Sequence, residues 1–359
     1  MVSKKEFALL SVITLACITS IHLQSKQPKK MILTIPVADM RGEPQAAPTD
    51  ISPPTSATTN PGQLSQLLLG DYIEVENEQI DSNLKKWLKI NAPQQKRFRP
   101  ELGWHGFTGW IQADQAIAVH NYPKNNIVVK NVQAHIFNKD GINIFTLSMG
   151  TKLLGKKLKN VTIWEVMLPA GGTAFINDCD VYKFPKKIES SCDDLRKNIV
   201  ATATQWLGIY YCWGGRSAQG VDCSSFMNLV FLAHGLQIPR NAHDQFAAAF
   251  ALKYGSELKP GDLVFFAPEK SEKPHRMTHV LMYMGDGILI ETTLSGDSKV
   301  QIISFQERIG KSHTSIQSGD ITINTKTRGV IGGQYHVYFA SYFSDPRILQ
   351  SLRDNIFAH

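Results

Sequence analysis

The first half of the chain has the hydrophobic pattern of short β-strands. Between residues 31 and 184, apolar and polar residues alternate or form brief apolar runs, and turn residues such as Asp140-Gly141 separate these runs. Alternation with a period of two buries one face of a strand and leaves the other in solvent. The predicted strands are residues 32–37, 72–76, 87–90, 109–111, 127–129, 133–137, 142–148 and 162–168. Short strands with intervening turns favour small all-β barrels. We expect one at residues 31–118, with a mobile Pro- and Ser-rich insertion at about 45–63, and a second at 119–184.

The pattern changes near residue 185. Between residues 195 and 207, apolar residues recur near the helical period. A second helix is predicted at 224–234, and a strand-rich stretch follows at 263–343. Helices followed by strands predict an α+β domain at residues 185–359. The expected fold class is therefore α+β, with two small all-β units preceding the α+β domain.

The N-terminal residues have the pattern of an export signal. Lys4 and Lys5 precede an uncharged apolar stretch at about 7–21, which is shorter than the ~20 residues that span a bilayer. Because basic residues also follow it, residues 1–25 are predicted to be either a signal peptide or a membrane anchor, and lipidation at Cys17 is a further alternative. We expect an exported protein of the periplasm or cell envelope.

Composition narrows the functional class only slightly. Apolar residues make up 43% and charged residues 19% of the chain, with a net charge of +7. That charge suits an anionic surface, but the lysines are spread thinly and we predict no nucleic-acid partner.

Beyond Cys17 the cysteines are Cys179, Cys192, Cys212 and Cys223. An exported chain permits a disulfide, for which Cys179 and Cys192 are the first pair to test. No CxxC pair occurs, and we predict no metal site and no cofactor.

The densest chemical signal ends at Cys223. Residues 211–223 read YCWGGRSAQGVDC, and an apolar helical pattern begins directly afterwards. Asp222 is a favourable N-cap, which places Cys223 in the first helical turn. There the unpaired N–H groups and the helix dipole stabilise a thiolate and can bind an oxyanion. We therefore expect Cys223 to be a nucleophile with a lowered thiol pKa.

A thiol nucleophile needs a general base, and His279 opens a predicted hairpin. Its turn contains Gly285-Asp286-Gly287. With a three-residue loop, Glu291 on the returning strand shares a face with His279 and could orient the imidazole. With a two-residue loop, Asp286-Gly287, Glu291 turns to the other face. Both alternatives remain open from the residues alone.

These residues resemble the NlpC family of cell-wall cysteine peptidases, which have a reduced papain-like fold. Five blocks occur in the family's order: residues 211–215 (YCWGG), 222–224 (DCS), 238–240 (IPR) with Gln245, 259–266 (KPGDLVFF), and His279-Val280 with Tyr283 and Gly285. The resemblance implies that Cys223 is the nucleophile and His279 the base. It also implies that Tyr211, Asp222 and Ser224 line the cleft near the scissile bond.

Three residues depart from the family pattern. Ser225 stands where Gly usually follows the Cys-Ser pair, and Ala242 replaces a small polar residue. Glu291 occupies the position at which the third catalytic residue is usually His, Asn or Gln. The last departure bears on the third catalytic residue rather than on the nucleophile and base.

The β-rich half resembles the paired bacterial SH3-like domains of three-domain family members, through residues 67–71, 106–111 and 147–153. Those members are γ-D-glutamyl-L-diamino acid endopeptidases. Their first SH3-like domain roofs the active site, where a carboxylate and an aromatic residue receive the free amine of L-Ala. Asp71 fits the position of that carboxylate, and Phe107 stands where a Tyr hydroxyl is expected.

The resemblance implies a peptidoglycan hydrolase. It would cut the bond between γ-D-Glu and a diamino acid such as diaminopimelate through a Cys thioester, in stem peptides or muropeptides with a free N-terminal L-Ala. Membrane contact is expected only through the N-terminal anchor. Two alternatives stay open: another amidase or acyltransferase of the same fold, and a wall-binding protein with an inactive peptidase domain.

Overall fold

The computed structural model describes residues 28–45, 62–184, 192–269, 276–294, 298–322 and 334–357. The predicted signal or anchor at residues 1–25 and most of the insertion at 45–63 lie outside the described residues. Within the described ranges, no helix combines the length and the apolar character needed to cross a membrane.

The first part of the chain forms a seven-stranded antiparallel sheet with its own core. Its strands are β1 (Lys29–Leu33), β2 (Val37–Arg41), β3 (Gln63–Leu68), β4 (Tyr72–Ile80), β5 (Lys86–Arg99), β6 (Gly103–Gln112) and β7 (Ala116–Ala118), in the order β3-β2-β6-β5-β4-β1-β7. A 3-10 helix, Ala113–Gln115, precedes β7. Strand β5 is much longer than the pattern predicts. Its second half contacts the C-terminal domain, because Gln94 O accepts a hydrogen bond from Gln237 Nε2 (2.6 Å) and Lys96 O accepts one from Arg240 N (3.0 Å).

A second seven-stranded antiparallel sheet follows and also has a separate core. Its strands are β8 (Ile127–Val129), β9 (Gln133–Phe137), β10 (Asn143–Ser148), β11 (Lys152–Lys157), β12 (Ile163–Met167), β13 (Thr173–Asn177) and β14 (Val181–Lys183), in the order β10-β9-β13-β12-β11-β8-β14. A 3-10 helix, Asp178–Asp180, precedes β14. Ile136, Val166 and Ile176 are fully buried here, as their alternating positions require.

The C-terminal part packs helices on a six-stranded sheet, which confirms the α+β class. Its helices are α1 (Cys192–Thr204), α2 (Cys223–Leu232), α3 (Ala242–Ala247), α4 (Phe305–Ile309) and α5 (Pro346–Phe357). The remaining strands are the ribbon β15 (Arg216–Ser217) and β16 (Gly220–Val221), and the sheet strands β17 (Phe250–Leu252), β18 (Leu263–Pro268), β19 (His279–Gly285), β20 (Ile288–Glu291), β21 (Gln301–Ser304) and β22 (Tyr335–Ser341). The sheet order is β17-β22-β18-β19-β20-β21. Two 3-10 helices, Gly255–Glu257 and His313–Ser315, connect these elements.

Helix α2 is buried along its whole length. The C-terminal sheet covers it through residues such as Val280 and Met282, and the second β-sheet approaches it at Gly150. A Cβ at that glycine would lie 2.7 Å from Leu229 Cδ2, and its φ is +87°. A side chain there would therefore clash with the helix, and the N-terminal half of the chain helps to bury α2.

The cysteine pair named as the first to test is not bonded in this structure. Cys179 and Cys192 are both free, exposed thiols.

Candidate active site

Cys223 is the first residue of α2, and a reciprocal capping box holds that helix start. Asp222 Oδ1 accepts a hydrogen bond from Ser225 N (2.7 Å), while Asp222 N donates to Ser225 Oγ (3.0 Å). The Ser225 hydroxyl also donates to Gly215 O (2.5 Å), which ties the glycine-rich loop to the helix. Ser225, a departure from the family pattern, therefore has a structural role. The Asp-x-x-Ser spacing is a capping signal that the sequence reasoning missed.

The Cys223 thiol lies where α2 meets β19. It is 8% exposed, and the backbone N–H groups of Val280 and Ser224 are near enough to favour its charged form. Burial, with a smaller contribution from Asp222, raises the pKa of Cys223 to about 12, against the lowering effects of Val280, Arg240 and Ser224. The expectation of a lowered pKa was therefore wrong, because burial outweighs the helix start. The resting thiol keeps its proton at neutral pH and needs a nearby base.

His279 directly precedes Val280, the β19 residue whose backbone N–H interacts with the thiol. Its Nε2 lies 2.7 Å from Glu291 Oε2, and its ring faces Phe266 at a centroid distance of 5.9 Å. The imidazole side chain is 15% exposed. Because Glu291 occupies Nε2, Nδ1 is the nitrogen left to accept a proton from Cys223.

A β-bulge brings Glu291 to His279. Asp286 (φ 51°) and Gly287 (φ 70°) form the central residues of a two-residue turn of the type I′ class. Strand β19 carries one extra residue, Met284, between the paired positions Tyr283 and Gly285. The extra residue reverses the phase of the strand and returns Glu291 to the face of His279. The inference that a two-residue loop would separate them was wrong, because it left out the bulge.

Glu291 has a second partner, Arg308, that sequence reasoning did not find. Arg308 Nε donates to Glu291 Oε1 (2.8 Å), and its guanidinium lies 4.8 Å from the centre of the Phe266 ring. Burial opposes the ionisation of Glu291, but the hydrogen bonds from His279 and Arg308 and the charge of Arg308 outweigh it and lower the pKa of this carboxyl. Glu291 is therefore ionised at neutral pH. Nothing in the short helix α4 marks Arg308 in the sequence.

Arg240 holds the carboxylate on the nucleophile side. Its Nη1 and Nη2 donate to Asp222 Oδ1 (3.0 Å) and Oδ2 (2.7 Å), and Nη1 also donates to Ser224 Oγ (3.1 Å). Its Nε donates to Ser65 Oγ (2.8 Å) in strand β3 of the first sheet. Arg240 is 1% exposed. Planar, two-point binding of this kind fixes the carboxylate's orientation as well as its charge.

Tyr211, Asp222 and Ser224 are brought together with Cys223, as the resemblance implies. Tyr211 is 6% exposed. Burial, followed by the nearby charges of Cys223 and Asp222, raises the pKa of its phenol. The hydroxyl therefore stays protonated and can serve as a hydrogen-bond donor.

Asp71 and Phe107 have environments that do not support their predicted contact with a substrate amine. Asp71 is 2% exposed, and its Oδ2 accepts from Leu68 N (2.9 Å) and lies 3.5 Å from Arg216 Nη1. Phe107 is 5% exposed and packs in the core of the first sheet. The guanidinium of Arg97 lies 4.8 Å from its ring centre. Both residues thus face cations already supplied by the chain.

Among the described residues, no group of three or more His, Cys, Asp or Glu side chains is arranged to hold a metal ion.

Comparisons with known proteins agree with this geometry. Residues 208–319 match the NlpC/P60 family. The chain is 28% identical over 247 residues to the gamma-D-glutamyl-L-lysine dipeptidyl-peptidase of Bacillus subtilis, covering 68% of this chain and 77% of that protein. It is 27% identical over 311 residues to the Bacillus cereus protein of the same name, covering 79% and 89%. A crystal structure of an NlpC/P60 family protein from Bacillus cereus aligns with a TM-score of 0.62 at 25% identity, over 77% of this chain and 94% of that one.

Proposed function

We propose that this chain, whose C-terminal part is an NlpC/P60 domain, is a peptidoglycan peptidase that cuts the bond between γ-D-Glu and a diamino acid in stem peptides. One observation carries the proposal: Cys223 begins a capped, buried helix near the backbone N–H of Val280, and the adjacent His279 is bound to Glu291. The relatives named for a γ-D-glutamyl-L-lysine activity support the substrate class. Export to the cell envelope, where peptidoglycan lies, belongs to the same proposal.

In the proposed reaction, His279 carries out each proton transfer. His279 takes the proton of Cys223, and the thiolate attacks the γ-carbonyl carbon to give a tetrahedral oxyanion. Backbone N–H groups at the start of α2 stabilise that charge. The imidazolium then donates its proton to the leaving amine of the diamino acid, and a thioester remains. His279 next takes a proton from water as the water oxygen attacks the thioester carbon. The tetrahedral intermediate collapses to the γ-carboxyl group and expels the Cys223 sulfur, which regains its proton from His279.

Recognition of a free L-Ala terminus is a separate question from which bond is cut. Asp71 and Phe107, the two predicted contacts for the amine, have buried environments with cations beside them. The substrate test therefore includes a peptide whose amine is blocked.

The test is hydrolysis of L-Ala-γ-D-Glu-meso-diaminopimelate by the purified full chain, followed by mass spectrometry. The L-Lys peptide and the N-acetylated peptide are run beside it. We expect release of the free diamino acid, and a loss of at least about a thousandfold in Cys223→Ala, since the nucleophile is removed. Equal cleavage of the N-acetylated and free-amine peptides would support the peptidase activity and show that the enzyme does not require a free N-terminal amine. Failure to cut any of the three peptides would contradict the proposal.

A further inference from the structure

Glu291 lies between two groups that both donate to it. Oε2 bonds to His279 and Oε1 to Arg308. The Glu291 side chain is 0% exposed, and that of Arg308 is 3% exposed. Water therefore does not screen this arrangement, and each charge acts strongly on its neighbours.

A buried carboxylate beside a general base creates a difficulty. An unpaired carboxylate 2.7 Å from the imidazole favours the charged imidazolium. An imidazolium cannot accept the proton of Cys223, and the buried thiol depends on that transfer. The catalytic base therefore needs a carboxylate whose charge is already balanced.

We propose that Arg308 is a positioning residue that neutralises the Glu291 carboxylate and so keeps the His279 imidazole uncharged and able to accept the Cys223 proton. The inference rests on the proposed function, because it assigns His279 the role of base. Arg308 acts through Glu291 and need not contact the substrate.

The surroundings of the pair allow this role. Among the described residues, Glu291 on β20 interacts with His279 on β19 and Arg308 on α4, and no other ionisable group affects it appreciably. Arg308 also acts on the phenol of Tyr335 on β22. The neighbour of His279 along β19, Val280, interacts through its backbone N–H with Cys223 on α2. Arg308 is thus the cation in this group whose charge does not depend on pH in the physiological range.

Arginine suits this position better than lysine. Its side chain reaches Oε1 through Nε while its planar guanidinium lies over the Phe266 ring. A lysine ammonium could restore the charge but not the stacked geometry. We therefore expect Arg308→Lys to rescue the function in part.

A second buried pair provides a matched control. Arg196 Nη1 bonds to Asp262 Oδ1 (2.7 Å), and its guanidinium lies 4.2 Å from the Phe343 ring centre. The pair has the same chemistry and similar burial. Asp262 lies four residues along the chain from Phe266, the partner of His279 in the sheet.

The experiment is an NMR titration of the His279 imidazole in the full chain carrying Cys223→Ala. This background has no thiol to couple to the histidine, and the measurement requires no substrate. We expect Arg308→Met to raise the midpoint pH of the His279 titration by about 1 to 3 pH units. Glu291→Gln added to Arg308→Met should return the midpoint close to its starting value. The midpoint in Arg308→Lys should lie between the values for the Cys223→Ala background and for Arg308→Met. Arg196→Met should leave the midpoint unchanged.

Two outcomes would overturn the inference. An unchanged midpoint in Arg308→Met, with lower stability, would make Arg308 a purely structural residue. A raised midpoint that persists in the double variant would show that Glu291 does not transmit the effect. Because the titration is independent of peptide hydrolysis, its result stands apart from the test of the proposed function.

Discussion

The two halves of the candidate catalytic centre each contain a buried arginine–carboxylate pair, but only one of the two arginines also contacts another domain. On the nucleophile side, Arg240 binds Asp222, and on the base side, Arg308 binds Glu291. Arg308 lies 17 residues from its carboxylate and Arg240 lies 18 residues from its own, but Arg240 also donates to Ser65, 175 residues away in the first β-sheet. The base side is thus held within the C-terminal domain, and the nucleophile side depends on a separate one.

Strand β3 is the part of the first sheet that makes this connection. The Ser65 hydroxyl donates to Gln95 Oε1 (2.6 Å) as well as accepting from Arg240. Gln66 Oε1 accepts from Arg216 N (2.7 Å) in the glycine-rich loop. At Gly214 (φ +70°), a Cβ would lie 3.0 Å from Gln63 O. The first sheet therefore shapes the loop that leads to Cys223 and does more than shield it.

The largest effect is expected from breaking the nucleophile-side pair. Arg240→Met leaves the buried Asp222 carboxylate without its cation, so we expect a loss of about 3–5 kcal/mol in the free energy of unfolding. Peptide hydrolysis should fall with it, because Asp222 caps the helix that carries Cys223. Urea unfolding at neutral pH measures the first effect.

The control for that variant is Arg347→Met, which removes an exposed ion pair with Asp345. Its free energy of unfolding should stay unchanged, since water screens such pairs. Equal stability of Arg240→Met and the wild type would contradict the dependence on this pair.

A smaller effect is expected from Ser65→Ala, which tests whether the nucleophile side depends on the first β-sheet. It leaves Arg240 Nε and Gln95 Oε1 without their partner, and we expect a loss of about 1–3 kcal/mol in unfolding free energy. We also expect a fall of roughly tenfold in kcat, corresponding to about 1.4 kcal/mol in the barrier.

Thr151→Ala is the matched control for Ser65→Ala. Thr151 is also fully buried, and its hydroxyl donates to Ser148 O (2.8 Å) within the second sheet. It should reduce stability and leave kcat unchanged. Equal effects of both variants on kcat would mean that the first sheet has no special connection to the nucleophile.

The smallest effect concerns the base side, and it is present at neutral pH and shrinks in acid. The pKa of Glu291 is lower in the folded chain than its ordinary value of 4.5. Ionised Glu291 therefore contributes stability that is fully present above about pH 4.5 and is lost as the pH falls through the folded value. Glu291→Gln removes this contribution, so the difference in unfolding free energy between the wild type and this variant should shrink with acidification. Urea unfolding at pH 7, 5 and 4 measures it, and a constant difference would contradict the linkage.

The sequence by itself determined the elements that depend on neighbouring residues. Alternation and short apolar runs predicted four strands in each of the two seven-stranded sheets. Asp222 before an apolar helical pattern placed Cys223 at a helix start. The hairpin that begins at His279 was also predicted, because a turn and two apolar runs lie within 14 residues. Each of these features follows from local backbone preferences and from the period of side-chain burial.

The tertiary structure decided the relations between those elements. The bulge at Met284 determines on which face of the sheet the Glu291 side chain lies. Packing between α2 and β19 buries the Cys223 thiol and so raises its pKa. The partners Arg308 and Ser65 come from parts of the chain that carry no local signal for the site. Burial, charge pairing and strand phase depend on which distant residues meet in space, and the pattern along one strand or helix does not contain that information.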